Sequence, residues 1–102
     1  MGDLLALKKD IIKKYGTPCA VVDLNVLEEN ISRVQKLCDK AGVSNRPHIK
    51  THKSGEIARM QLNAGASGVT CQKLGEAEVM AGAGVKDILI ATNVLGAAAS
   101  GA

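Results

Sequence analysis

Apolar residues recur at helical spacing in two segments, and these segments predict the first two helices. In residues 3–15 apolar positions repeat every three or four residues, with lysines between them. Gly16-Thr17-Pro18 ends this first helix. In the second segment the apolar residues fall within an arc of about 140°, which predicts a helix over residues 26–41. The residues of that arc are Val26, Leu27, Ile31, Val34, Leu37, Cys38 and Ala41.

Capping signals mark both ends of the second helix. Asn25 is predicted as its N-cap, and Glu28, three residues later, as the returning partner of a capping box. Gly42 stands where a left-handed C-terminal cap is required. Both ends of this helix are therefore predicted from local sequence.

A short apolar run predicts a strand at residues 19–23, and further strand candidates are residues 46–50, 68–72 and 87–92. The last three each follow a helix that closes on a glycine, at Gly42, Gly65 and Gly84. The spacing between these glycines is 23 residues (65 − 42) and then 19 residues (84 − 65). Repetition of helix, glycine stop and strand at this period predicts successive βα units in a parallel sheet.

The predicted α/β sheet leaves two architectures open. The continuous apolar run 88–91 is typical of a parallel strand covered on both faces. Right-handed crossovers then curl the sheet into a barrel or leave an open, doubly wound sheet. A barrel takes eight units and about 250 residues, whereas this chain of 102 residues holds three units. We therefore interpret it as part of a larger fold that, alone, would expose strand edges and associate.

Composition narrows the class of protein. The chain is 46% hydrophobic and 23% charged, which favours a folded domain. A net charge of +3 and a single aromatic residue, Tyr15, argue against a nucleic-acid binder, which needs a dense basic face or stacking aromatics. The lysines of the first helix are interpreted as a solvated face, with a basic interaction module as the alternative. They are Lys8, Lys9, Lys13 and Lys14.

Cysteine usage and hydropathy predict a cytoplasmic protein. Cys19, Cys38 and Cys71 are widely spaced and odd in number, which indicates reduced thiols that are buried as small hydrophobes. No apolar run approaches the roughly 18 residues of a membrane span, and the N-terminus lacks the apolar core of a secretion signal. We expect no membrane partner.

Chemistry is expected at the C-terminal ends of the strands, where α/β folds place their sites. This rule singles out Lys50, Gln72 and Asn93. Along an extended strand His48, Lys50 and His52 point to one side. A desolvated lysine amine at such a site is a nucleophile that forms Schiff bases with carbonyl compounds. The alternative is a lysine that only reaches solvent at the end of a strand.

Other candidate groups receive weaker interpretations. An extended strand separates His48 and His52 by about 13 Å, too far for two ligands of one metal ion. Glu76 and Glu78 lie in the first turns of a helix, where the helix dipole favours negative charge, and we assign them no catalytic role. Cys71 is expected to be buried and inert.

The run Arg46-Pro47-His48-Ile49-Lys50-Thr51-His52-Lys53 is the most specific motif in the chain. It resembles the segment that holds the cofactor lysine in the D-threonine aldolase and D-serine dehydratase family. These fold-type III enzymes depend on pyridoxal 5′-phosphate and are related to the alanine racemase N-terminal domain. The likeness extends through residues 17–23, 71–78 and 87–90, and covers residues 15–96.

The resemblance implies site residues and a fold. It implies that Lys50 is the catalytic residue that binds pyridoxal 5′-phosphate through a Schiff base, with His48, Gln72 and Asn93 as further cofactor-binding candidates. Residues 46–50 would form the first strand of a (β/α)8 barrel of the TIM type. The strand at residues 19–23 would belong to a second, β-rich domain, and a divalent metal would be bound only in the intact protein.

The resemblance also implies a domain division and a function. Residues 1–24 would be an N-terminal helix and strand, residues 25–96 a helix with βα units, and residues 97–102 a truncated tail. The intact protein would be a homodimeric lyase that cleaves D-3-hydroxy amino acids, such as D-threonine to glycine and acetaldehyde. The alternatives are a D-serine dehydratase, which forms pyruvate and ammonia, and a non-catalytic pyridoxal-phosphate carrier. We expect residues 1–102 alone to be inactive.

Overall fold

The structure, a computed structural model, describes residues 2–93, so the predicted tail at residues 97–102 lies outside the described part. Helices and strands alternate after two N-terminal helices, as the glycine-stop pattern predicts. The elements are α1 Gly2–Tyr15, α2 Leu24–Ala41, α3 Gly55–Ala64, β1 Val69–Cys71, α4 Leu74–Gly82 and β2 Ile88–Ile90.

The two strands form a parallel pair. Val69 lies opposite Ile88 and Cys71 opposite Ile90. The pairing continues at the end of β2, where the backbone N–H of Ala91 donates to the carbonyl of Cys71 at 2.9 Å. The predicted parallel order of successive units is therefore confirmed for the second and third strands.

The segment predicted as the first strand lies on the other side of β1 but is reduced to one bridge. His48 pairs with Thr70 in parallel orientation. The N–H of Ile49 donates to the carbonyl of Thr70 at 2.9 Å, and the N–H of Thr70 donates to the carbonyl of Pro47 at 2.8 Å. The prediction of a strand over residues 46–50 was thus too long, because Pro47 has no N–H to donate to a ladder.

The run at residues 19–23, predicted as a strand, forms none in the described part of the chain, and its assignment to a second domain of the intact protein stays a prediction. In residues 2–93 no neighbouring strand lies beside this run, and an apolar run without a ladder partner has nothing to pair its backbone groups with. The strands predicted at 68–72 and 87–92 are also shorter, at Val69–Cys71 and Ile88–Ile90.

The N-terminal cap of α2 differs from the prediction, and its C-terminal cap agrees with it. Asp23, not Asn25, caps the helix, and its carboxylate accepts from the N–H groups of Asn25 at 3.0 Å and Val26 at 3.2 Å. Because the charged carboxylate precedes the helix, α2 begins two residues earlier than predicted. Gly42 adopts φ 71°, the left-handed conformation predicted for it.

The core lies between the sheet and helices α3 and α4. Ile49, Val69, Cys71 and Met80 are fully buried in it. The period-two alternation of a strand places Val69 and Cys71 on the core side of β1. Small residues, Ala58 on α3 and Ala77 on α4, let the helices approach the sheet closely.

Other apolar surfaces remain open in the described part of the chain. Leu37 and Val34 on α2 are 68% and 47% exposed, although they belong to the apolar stripe that predicted the helix. Leu89 of β2 is 52% exposed, so the predicted burial of this strand on both faces is not realised among residues 2–93. None of the described helices combines the length and apolar character that crossing a membrane requires.

Candidate functional site

Lys50 lies at the C-terminal end of the first of the three neighbouring parallel segments. It directly follows Ile49, which is fully buried in the core, and is itself exposed. Among residues 2–93 no hydrogen bond or ion pair engages its amine. The desolvated surroundings considered for this lysine are not formed by the described residues, because they supply only one side of a barrel.

His48 is held against the backbone of Lys50. Its ring is half-buried, and Nδ1 accepts a hydrogen bond from the backbone N–H of Lys50 at 3.1 Å. In the neutral imidazole the proton then lies on Nε2, which becomes a donor. The structure thus brings His48 next to the backbone of Lys50.

His52 does not share a side with His48 and Lys50, so the prediction for it was wrong. Its Nδ1 accepts from the backbone N–H of Ser54 at 2.9 Å, and its Nε2 lies 3.2 Å from Oε1 of Gln61 on α3. The chain stops being extended after residue 49, because a turn closes there with a 2.8 Å hydrogen bond from the N–H of Lys53 to the carbonyl of Ile49.

Gln72 and Asn93 follow the C-terminal ends of β1 and β2. The strands are parallel, so these residues lie at the same sheet edge as Lys50. Both side chains are exposed. The hydroxyl of Thr92 donates to the backbone carbonyl of Gln72 at 2.8 Å, which joins the two strand ends. No hydrogen bond among the described residues joins the side chains of Gln72 and Asn93 to Lys50.

The sequence analysis assigned Glu76 no role at the site. In the structure this residue of α4 contacts the loops that follow Lys50 and β1. Its side chain is only 8% exposed. Oε1 accepts from the backbone N–H of Gln72 at 2.9 Å, and Oε2 lies 3.7 Å from Nζ of Lys53. The hydrogen bond from the backbone N–H of Gln72 holds the pKa of Glu76 below its usual value against the effect of burial, and the charge of Lys53 and the backbone N–H of Lys73 act in the same direction.

A local signal for Glu76 exists in the sequence. It is the third residue after the N-cap of α4, Lys73, and a glutamate there commonly reaches back to free N–H groups that precede the helix. Lys73 has no acceptor in its side chain and makes no capping bond. The pattern is therefore not the usual capping box. Residue spacing also does not predict that Glu76 is buried between two loops.

The three cysteines differ in burial. Cys71 is fully buried, and burial, together with the nearby carboxylate of Glu76, raises its pKa. The general prediction of buried thiols is wrong for Cys19, which is exposed, and only partly met by Cys38. In the part of the chain that the structure describes, no cluster of three potential metal ligands occurs.

Known proteins are similar to this chain in sequence and in structure. D-threo-3-hydroxyaspartate dehydratase from Delftia sp. (strain HT23) is 45% identical over 86 residues, which are 84% of this chain and 23% of that protein. D-threonine aldolase from Arthrobacter sp. is 43% identical over 89 residues, 87% of this chain and 24% of that protein. The crystal structure of D-threonine aldolase from Filomicrobium marinum matches with a TM-score of 0.78 and 41% identity, over 81% of this chain and 22% of that one.

The chain therefore spans about a quarter of the length of the curated relatives it matches. The match in structure agrees with the prediction that these βα units are the first part of a TIM-type barrel. Residues 22–100 match the model of the alanine racemase N-terminal domain. The resemblance stated from the motif around Lys50 is confirmed, and the chain belongs to the alanine racemase N-terminal domain family.

Proposed function

We propose that this chain contributes the cofactor lysine of a pyridoxal-phosphate-dependent lyase that acts on D-3-hydroxy amino acids. The observation that carries the proposal is the placement of Lys50 at the C-terminal edge of three parallel segments, with an amine that no described residue engages. Barrel enzymes build their sites at this edge. Both the aldolase and the dehydratase among its relatives act on such amino acids by name.

The residues at this edge fit the cofactor. A free amine at a strand end can bind an aldehyde covalently, and Lys50 is such an amine. Pyridoxal phosphate, when bound, supplies an electron sink for negative charge at the substrate Cα. Nδ1 of His48 accepts from the backbone N–H of Lys50, so Nε2 of the neutral ring would be the donor that His48 offers to the cofactor. The amides of Gln72 and Asn93 offer further donors and acceptors at the same edge.

The cofactor assignment is tested on the product of the complete reading frame. The protein is incubated with pyridoxal phosphate, reduced with borohydride, digested and mapped by mass. We expect the adduct at Lys50 and its loss in Lys50→Ala, while Lys36→Ala on the surface of α2 labels as the wild type does. An adduct found only at Lys53 or Lys73 would contradict the assignment.

The reaction type is tested by measuring acetaldehyde and pyruvate release side by side. We expect D-threonine to give glycine and acetaldehyde, because an aldolase is among the relatives. A D-serine dehydratase is among them as well, so dominant pyruvate from D-serine would favour the dehydratase alternative. Cofactor labelling at Lys50 with neither product would favour the non-catalytic carrier.

We propose that the intact protein is a cytoplasmic homodimer that acts on a small-molecule substrate. The three cysteines are free, as expected in a reducing compartment. The divalent metal expected for the whole protein has no ligand set among residues 2–93. We also propose the division at residue 24 between an N-terminal segment and the barrel units. Size measurement in solution tests the dimer.

A further inference from the structure

One buried carboxylate joins the loops that follow the first and second parallel segments. Oε1 of Glu76 holds the N–H of Gln72, directly after β1, at 2.9 Å. Oε2 lies 3.7 Å from Nζ of Lys53, in the loop after Lys50. The side chain of Glu76 is 8% exposed, whereas that of Lys53 is 59% exposed. The lysine therefore reaches inward from the surface to a carboxylate that is fixed on α4.

The loop held in this way contains Lys50. A hydrogen bond of 2.8 Å from the N–H of Lys53 to the carbonyl of Ile49 closes the turn, with Lys50 inside it. Lys53 has φ 52°, a left-handed conformation that a residue with a Cβ rarely adopts. Such a conformation persists where surrounding contacts hold it. The ion pair with Glu76 is the side-chain contact that the structure shows for Lys53.

A helix cap alone does not account for this arrangement. A glutamate that only satisfied backbone N–H groups before α4 would not require a cation beside its second oxygen. Here the second oxygen faces the ammonium of Lys53 and is buried with the rest of the side chain. The hydrogen bond from Gln72 and the charge of Lys53 both lower the pKa of Glu76 and so favour its charged form.

We propose that Glu76 is a positioning residue for Lys50, which acts by holding Lys53 and so fixing the turn that presents the Lys50 amine at the sheet edge. The proposal rests on the function proposed above, because the amine needs positioning only if it binds the cofactor. A bound aldehyde must meet this amine at a defined place, and loss of the ion pair would let the turn move.

The test measures how much pyridoxal phosphate is needed for half-maximal borohydride trapping at Lys50 in the full-length protein. Glu76→Gln keeps an oxygen for the N–H of Gln72 but removes the charge that binds Lys53. We expect it to raise the half-maximal concentration about ten-fold. Lys53→Met should do the same, since it removes the other partner, and the side chain that it changes is 59% exposed.

Matched variants separate positioning from charge and from stability. Glu78→Gln removes an exposed carboxylate from the same helix. It should leave the half-maximal concentration within about two-fold of the wild-type value, because surface substitutions without specific contacts have small effects. Asp23→Ala removes the cap of α2, a structural contact away from the turn. It should lower the melting temperature without changing the half-maximal concentration.

The double variant Glu76→Gln/Lys53→Met gives the decisive comparison. If the two residues act as a pair, the second substitution adds little to the effect of the first. Trapping that is unchanged in both single variants while the wild type labels at Lys50 would overturn this inference and leave the proposed function intact. Absence of the Lys50 adduct in the wild type would instead overturn the proposed function. If Glu76→Gln fails to fold, Lys53→Met alone decides.

Discussion

Arg46 and Asp87 form an ion pair across Gly68, with Nη1 and Oδ1 2.8 Å apart. The guanidinium also donates to the backbone carbonyls of Val69 and Asp87, each at 3.4 Å. The pair thus joins the start of the first parallel segment to the start of β2, over the residue that precedes β1. It lies at the N-terminal ends of the strands, which is the end of a barrel that contributes to stability. Lys50 lies at the opposite end.

Gly68→Ala should destabilise the fold, because a Cβ at this position would overlap the carbonyl oxygen of Asp87 and lie 2.6 Å from Nη1 of Arg46. We expect a loss of about 1–3 kcal/mol in the free energy of unfolding, measured by urea denaturation. The control is Gly75→Ala in α4, where no atom lies within 4 Å. That substitution should stabilise by about 0.5–1 kcal/mol. Equal effects would contradict the role of Gly68.

Asp87 should make the stability depend on acid pH. Arg46 holds the pKa of this carboxyl below its usual value through their hydrogen bond. A depressed folded-state pKa gives a contribution that is complete above about pH 4, the unfolded value, and is lost as the pH falls through the folded value. We expect Asp87→Asn to show a smaller difference in urea midpoint between pH 7 and pH 3 than the wild type.

The control for this pH experiment is Asp10→Asn, which changes an exposed residue of α1. It should keep the wild-type difference between the two pH values. Glu76 has a lowered pKa as well and acts in the same direction, so Asp87→Asn reduces the acid dependence without abolishing it. An acid dependence unchanged by Asp87→Asn would show that the ion pair contributes nothing.

The three thiols should differ widely in reactivity. Cys71 is fully buried and its pKa is raised by burial, whereas Cys19 is exposed. Because the thiolate is the reactive form, we expect iodoacetamide at pH 7.5 to modify Cys19 quickly and Cys71 only after unfolding. Mass mapping of a time course measures this. Equal rates in the native protein would show that β1 is not packed as described.

Met80 should contribute far more to stability than its neighbour Val79. Met80 is fully buried in the core, and Val79 on the same helix is 57% exposed. We expect Met80→Ala to lower the free energy of unfolding by about 2–5 kcal/mol because it leaves a cavity. Val79→Ala should cost less than about 1 kcal/mol. Chemical denaturation of both variants gives the comparison, and similar losses would argue against this core.

Local sequence alone predicted the helices α1 and α2, the glycine that ends α2, the parallel order of the units and the strand end that carries Lys50. These features depend on periodicity over neighbouring residues and on a specific motif, so they need no knowledge of distant contacts. The N-cap of α2 was misassigned among adjacent polar residues, since Asp23 and Asn25 are both good caps. Sequence alone does not distinguish these two residues, because Asp and Asn have nearly equal preferences for the N-cap position.

Tertiary structure decided the contacts that join distant parts of the chain. Arg46 meets a residue 41 positions away, and only the approach of the strands at Gly68 makes this meeting possible. Glu76 is buried and paired because the loops after two parallel segments converge on α4. His52 turns toward α3 because the strand ends at residue 49. The spacing of residues along the chain does not predict such contacts, because they depend on how separate elements pack against one another.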